Sequence, residues 1–201
     1  MERMRKLRKS NLIKNVVVML VCFQVSVLAA QEQATSDFAL VGDNVITSIL
    51  IDKKDAKVVT IASNIFATDV YKITGKKPVV STKDSRSEST IIAGTIGSNK
   101  WIDSMIAAGK IDVSEIENQW ERYSIQIVEN PTSTIKKALV VVGSDRRGTA
   151  YGILELSRKI GVSPWEWWAD VTPEKKESLS LTIEKEVSKS PSVKYRGVFF
   201  K

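Results

Sequence analysis

Five consecutive apolar residues, Ala138-Leu-Val-Val-Val142, run straight into Gly143-Ser-Asp-Arg-Arg-Gly148-Thr149 and then into a stretch with helical spacing. A strand that is apolar at every position has no solvated face, so it must be central in a sheet and covered on both sides. Helices are the covering elements available, which makes the chain a layered α/β domain. The helix that follows places Ala150, Ile153, Leu154 and Ser157 on its apolar face. Arg158, Lys159 and Gly161 end it with the charge sign and residue type that a helix C-terminus favours.

The remaining segments fit the same plan. Ser48 to Asp52 is a short β-type run, and Asp55 stands where a helix N-cap would. Val58, Ile61, Ala62, Ile65, Phe66, Val70 and Ile73 then recur at helical spacing, with Lys72 in the last turn and Gly75 beyond it. Pro78–Thr82 and Thr90–Ala93 read as strands joined by a polar turn, either a hairpin or two neighbours. Lys100 to Ala108 is a short helix stopped by Gly109. Tyr123 to Val128 alternates as a strand with one solvated face, Ser178 to Ile183 is an edge strand and Tyr195 to Phe200 a last one. The expected fold is one mixed sheet with about three helices packed on one face.

The first thirty residues are of another kind. Arg3, Arg5, Lys6, Arg8, Lys9 and Lys14 precede an apolar run, Val16 to Leu28, and the small residues Ala29 and Ala30. This is the pattern of a secretory signal peptide, cleaved after Ala29 or Ala30. Its apolar run falls short of the roughly 20 residues that a bilayer-crossing helix needs, so no stable membrane anchor is expected. Cys22 follows Val21, where lipid modification needs a small residue. The expected organisation is a signal peptide over 1–30, a disordered leader over 31–37, an α/β domain over 38–188, and a terminal segment over 189–201. Export would place the protein outside the cell or in the periplasm.

Six of the 30 basic residues and one of the 23 acidic ones lie in the signal segment, leaving 24 and 22, a net charge of +2. The high pI therefore carries no nucleic-acid footprint. The chain has no histidine and its one cysteine lies in the signal segment. A Ser-His-Asp triad, a thiol nucleophile, a disulfide and a His/Cys zinc site are all excluded, and neither metal nor organic cofactor is expected. Carboxylates remain, which suit glycoside hydrolysis.

Two segments carry candidate sites. Gly143 to Gly148 has the G-x-x-x-x-G spacing of a phosphate loop, but Thr149 and Ala150 stand where that motif needs Lys and Ser/Thr. A turn capped by Ser144 or Asp145 explains it equally well. Arg146 and Arg147 remain as contacts for a partner surface or an anionic sugar. The second segment is Ser163-Pro-Trp165-Glu-Trp167-Trp168-Ala-Asp170. Its three indoles represent roughly 450 to 750 Å² of aromatic surface, too much to leave bare on a monomer. They must pack inward, meet another domain or stack on a ligand. A pyranose offers apolar C–H faces to such rings and hydroxyls to Glu166 and Asp170. As a glycosidase acid pair, Glu166 and Asp170 satisfy only a loose spacing requirement.

The stretches Ile92-Ala-Gly-Thr-Ile-Gly97, Gly109-Lys-Ile-Asp112, Gly143 to Ile153, Ile160 to Val171 and Ser190-Pro-Ser-Val-Lys-Tyr-Arg-Gly-Val-Phe-Phe200 resemble the N-terminal domain of glycoside hydrolase family 115. The run from Ser163 to Asp170 is the most specific of them. The resemblance implies α-glucuronidases that remove glucuronic acid or its 4-O-methyl ether from xylan. It also implies the small α/β domain that precedes the catalytic (β/α)₈ barrel in hexosaminidases. In the family, Tyr-Arg-Gly leads into the first barrel strand and then Asn-Asp-Glu, whereas here Phe200 is followed by Lys201. The family's catalytic carboxylates lie in the barrel, so no catalytic residue carries over to this chain. The expected role is that of a non-catalytic accessory domain, inactive alone, whose partners are that barrel and, through the whole enzyme, glucuronoxylan. The alternatives are an independent carbohydrate-binding module and a nucleotide-binding α/β protein.

Overall fold

The computed structural model describes residues 36–193 with Tyr195 and Gly197, apart from the side chain of Trp167. The signal segment, residues 31–35 of the expected leader and most of the strand expected at Tyr195–Phe200 lie outside the described residues. Among the described residues eight strands and four helices follow one another as β1 (Ser36–Val41), β2 (Ser48–Leu50), α1 (Lys57–Thr74), β3 (Val80–Ser81), β4 (Ser87–Thr95), α2 (Lys100–Ala107), β5 (Tyr123–Glu129), β6 (Ile135–Gly143), α3 (Arg146–Lys159), α4 (Glu166–Ala169), β7 (Leu179–Ile183) and β8 (Glu186–Val187).

Six strands form a mixed sheet in the order β3-β2-β4-β6-β5-β8, with β3, β2, β4 and β6 mutually parallel and β5 antiparallel to β6 and β8. The apolar run of β6 lies between β4 and β5, as its composition requires. Leu139 and Val141 point into one core with α1 and α3, and Ala138, Val140 and Val142 into a second core with α2. The expected mixed α/β sheet is present, and α1 and α3 share one face. The sidedness differs for α2, whose Ile102 and Met105 pack on the opposite face. Two crossovers leaving the sheet in opposite directions cover both surfaces of a sheet whose central strand β6 is apolar from Ala138 to Val142.

Several elements depart from the sequence reading for identifiable reasons. Ser36 and Asp37, expected in the leader, begin β1, because Phe38 and Leu40 need burial and β7 supplies an antiparallel partner. That pair makes a separate two-stranded sheet, so Ser178–Ile183 is no edge of the main one. The strands expected over Pro78–Thr82 and Thr90–Ala93 are not adjacent. β2 lies between them and pairs parallel with both, since Ile49 and Leu50 are buried in opposite cores and need neighbours on both edges.

Asp55 does not cap α1; Ala56 occupies that position, and the Asp55 Oδ2 accepts the N–H of Thr95 at 2.8 Å, tying the helix entrance to the end of β4. The polar face expected for β5 is covered, with Ser124 1% exposed, because Ile111, Val113 and Ile116 from the polar-looking stretch before it fold over that side. On α3 the buried position is Leu156, and Leu154 faces outward at 39%. Gly75 and Gly161 end α1 and α3 at φ 72° and 98°, where a side chain would be strained.

Candidate functional site

Helix α3 hands the chain directly to the tryptophan segment. Gly161 turns it, Val162 is buried, and the Ser163 hydroxyl accepts the Trp165 N–H at 3.1 Å, starting the single turn of α4. Asp170 ends that turn at φ 51°, a left-handed conformation that Asp tolerates better than most residues. Trp165 and Trp168 are three positions apart, so they share one side of the turn. Both rings face water, at 64% and 84% exposure. The Trp167 side chain lies outside the described residues.

What holds this turn in place is an ion pair from the other side. The Glu166 carboxylate, 15% exposed, receives the Lys72 ammonium at 2.6 Å, and Lys72 lies 3.8 Å from Asp69. Asp69 is buried on α1 between the apolar positions Phe66 and Ile73. Burial pushes its carboxyl above the ordinary aspartate value and the Glu166 charge adds to this, against the Ser157 hydroxyl and Lys72, which pull it down. Glu166 is thus turned inward onto Lys72, whereas Asp170 stands exposed at the end of the turn.

The surface beside the indoles is also apolar. Ile61 and Ile65 of α1 and Leu154 of α3 are 39–48% exposed and flank two shallow grooves of about 330 and 320 Å³. Ile65 and Asp69 line both, and Pro164 and Glu166 line the second, so the grooves run up to the tryptophan turn. Sequence reasoning missed Asp69 and assigned Lys72 only to a helix end. The available signal was an acid placed among the apolar positions of α1.

Arg146 and Arg147 are not part of this surface. They begin α3, and its 14 residues span about 20 Å before the tryptophans. Asp145 caps that helix, its Oδ1 accepting the N–H groups of Arg147 and Gly148 at 2.9 and 2.8 Å while its Oδ2 takes that of Glu121. Gly148 lies so close to the chain entering β5 that a Cβ would meet the Arg122 carbonyl at 2.2 Å. The Thr149 hydroxyl fills the remaining space, 2.8 Å from that of Thr95. The turn is packed and capped by its own residues. Arg147 pairs with the buried Glu121 at 2.8 Å, and Arg146 is exposed. Among the described residues no cluster of Asp, Glu, Cys or His is arranged to hold a metal.

The fold and this surface define an α/β domain with parallel central strands and an uncovered aromatic face. No protein-family model matches the chain, and no curated protein matches it. Among solved structures it is similar to a family GH115 4-O-methyl-α-glucuronidase with specificity for decorated arabinogalactans, at 39% identity and a TM-score of 0.60 over 74% of this chain. The chain spans 18% of the length of that protein. The resemblance read from the sequence is thus present in three dimensions: the fold is that of a domain related to part of a glycoside hydrolase.

Proposed function

We propose that this chain is a non-catalytic accessory domain of an exported enzyme related to the α-glucuronidases, acting on a uronic-acid-bearing polysaccharide through the catalytic part. The observation that supports it is the pair of exposed indoles, Trp165 and Trp168, held outward by the Lys72–Glu166 ion pair next to apolar grooves. Surfaces of this kind are interfaces, and the natural occupant in a multidomain hydrolase is the catalytic barrel. Asp69 and Glu166, the two carboxylates that line the second groove, are both engaged by Lys72, and the purified chain is expected to release no glucuronic acid from glucuronoxylan or decorated arabinogalactan. Release would overturn the reading. Export is tested by N-terminal sequencing of the protein recovered outside the cytoplasm, which should begin at Ala30 or Gln31.

The same indoles favour a second reading, an independent carbohydrate-binding module. Titration of the intrinsic fluorescence with neutral xylo-oligosaccharides separates the two. A flat response supports docking, and a saturable shift lost in Trp165→Ala supports a module.

A further inference from the structure

The connections after β2 and β4 leave the sheet toward opposite faces, β2 into α1 on one side and β4 into α2 on the other. Adjacent parallel strands whose connections diverge open a crevice beyond their carboxyl ends, and this is where open α/β sheets bind ligands. A second divergence, between β4 and β6, is filled by the Thr95–Thr149 hydroxyl contact. The crevice at β2 is open: a cavity of about 700 Å³, walled by the loops after β2 and β3 and by the start of α2. That volume is in the range of small-molecule sites, roughly 300 to 1,000 Å³.

Its lining is basic. Lys53, Lys54, Lys83 and Lys100 face it together with Asp52 and Asp103, four positive charges against two negative. The carboxylates are already committed to the backbone. Asp52 accepts the N–H groups of Lys54 and Lys100 at 2.9 and 3.2 Å, and Asp103 that of Gly97 at 2.8 Å. Among the described residues none of the four lysines closes an ion pair. Among the described residues that line the cavity none is aromatic, and the Lys100 ammonium lies over the neighbouring Trp101 ring, 4.2 Å from its centre.

We infer that this crevice is a binding subsite for an acidic sugar unit, a uronate held by its carboxylate on Lys53, Lys54 and Lys83, on a different part of the molecule from the tryptophan face. The assignment of a uronate rests on the reading of the chain as part of a uronide-cleaving enzyme.

The test is calorimetric titration of the full 201-residue chain at low salt with a glucuronic-acid-bearing xylo-oligosaccharide. The same oligosaccharide with its carboxyl reduced to an alcohol, and inorganic phosphate, serve as the other probes. The acidic sugar should bind, the reduced one at least tenfold more weakly. Lys54→Gln/Lys83→Gln should lose at least tenfold in affinity and Lys54→Arg/Lys83→Arg should keep it. Raising the salt to about 0.5 M should weaken binding as the charges are screened. Absence of binding, equal binding of the reduced sugar, an unchanged affinity in the Gln pair or phosphate binding as tightly as the sugar would each overturn the proposal. So would loss of the titration in Trp165→Ala/Trp168→Ala, which would put the sugar on the indole face. The glucuronic-acid release assay is independent of all these arms, so either idea can fail alone.

Discussion

Lys72 near the end of α1 and Glu166 in the tryptophan turn, 94 residues apart in the chain, are joined by a 2.6 Å ion pair. The pair ties the helical layer to a turn whose Trp165 and Trp168 rings are exposed. Its strength is limited by the 35% exposure of the lysine. Replacing Lys72 by Met should cost about 1 kcal/mol of global stability. The larger effect should be local: faster amide exchange over residues 163–170 and altered acrylamide quenching of the tryptophans, both restored by Lys72→Arg.

Asp69 gives a pH dependence of definite sign. Its carboxyl is raised above 3.8 chiefly by burial, so the folded protein keeps this proton after the unfolded chain has released it. Stability from this group is present below about pH 3.8 and is lost as pH rises through the folded value. Asp69→Asn should flatten that decline in urea-unfolding free energies measured across mildly acidic pH. A steeper decline in the variant would contradict the assignment.

The exposed indoles should be nearly silent in stability. Trp165→Ala and Trp168→Ala remove side chains that the isolated domain leaves in water, and each should shift the unfolding free energy by less than about 0.5 kcal/mol. A loss of several times that in denaturant unfolding would mean the rings are packed within the domain.

At Gly148 the opposite holds. A methyl group there would stand 2.2 Å from the Arg122 carbonyl, a backbone atom that cannot step aside cheaply. Gly148→Ala should destabilise by roughly 3 kcal/mol, at the upper end of overpacking costs, with Gly42→Ala, where nothing lies within 4 Å, as the mild control.

What could be read in advance follows from how local each signal is. The run Ala138–Val142 and the helix after Gly143 announce themselves within some twenty residues, as do the periodicity of α1 and its stop at Gly75. The side of the sheet on which α2 lands is not written in α2, because it depends on how β2 and β4 divide their faces between two cores. The pairing of β1 with β7 joins Ser36 to Ile183, and no short-range pattern encodes a partner at that separation. The site was legible as a set of residue types and illegible as geometry. Trp165, Glu166 and Trp168 could be singled out by composition, whereas the inward role of Glu166 needs Lys72 to be seen beside it. The lysines of the crevice gave no signal, since Lys54 and Lys83 come from two loops and Lys100 from the start of α2, which only the strand order brings together.

The way β6 serves two cores at once has a consequence for how the domain comes apart. Each pair of successive peptides that leaves this strand withdraws one side chain from the layer of α1 and α3 and one from the layer of α2. Neither half can soften while the other stays intact, and the Ala138–Val142 amides should be the last to take up deuterium. The described fold is therefore a single melting unit, seamed down its middle by one strand.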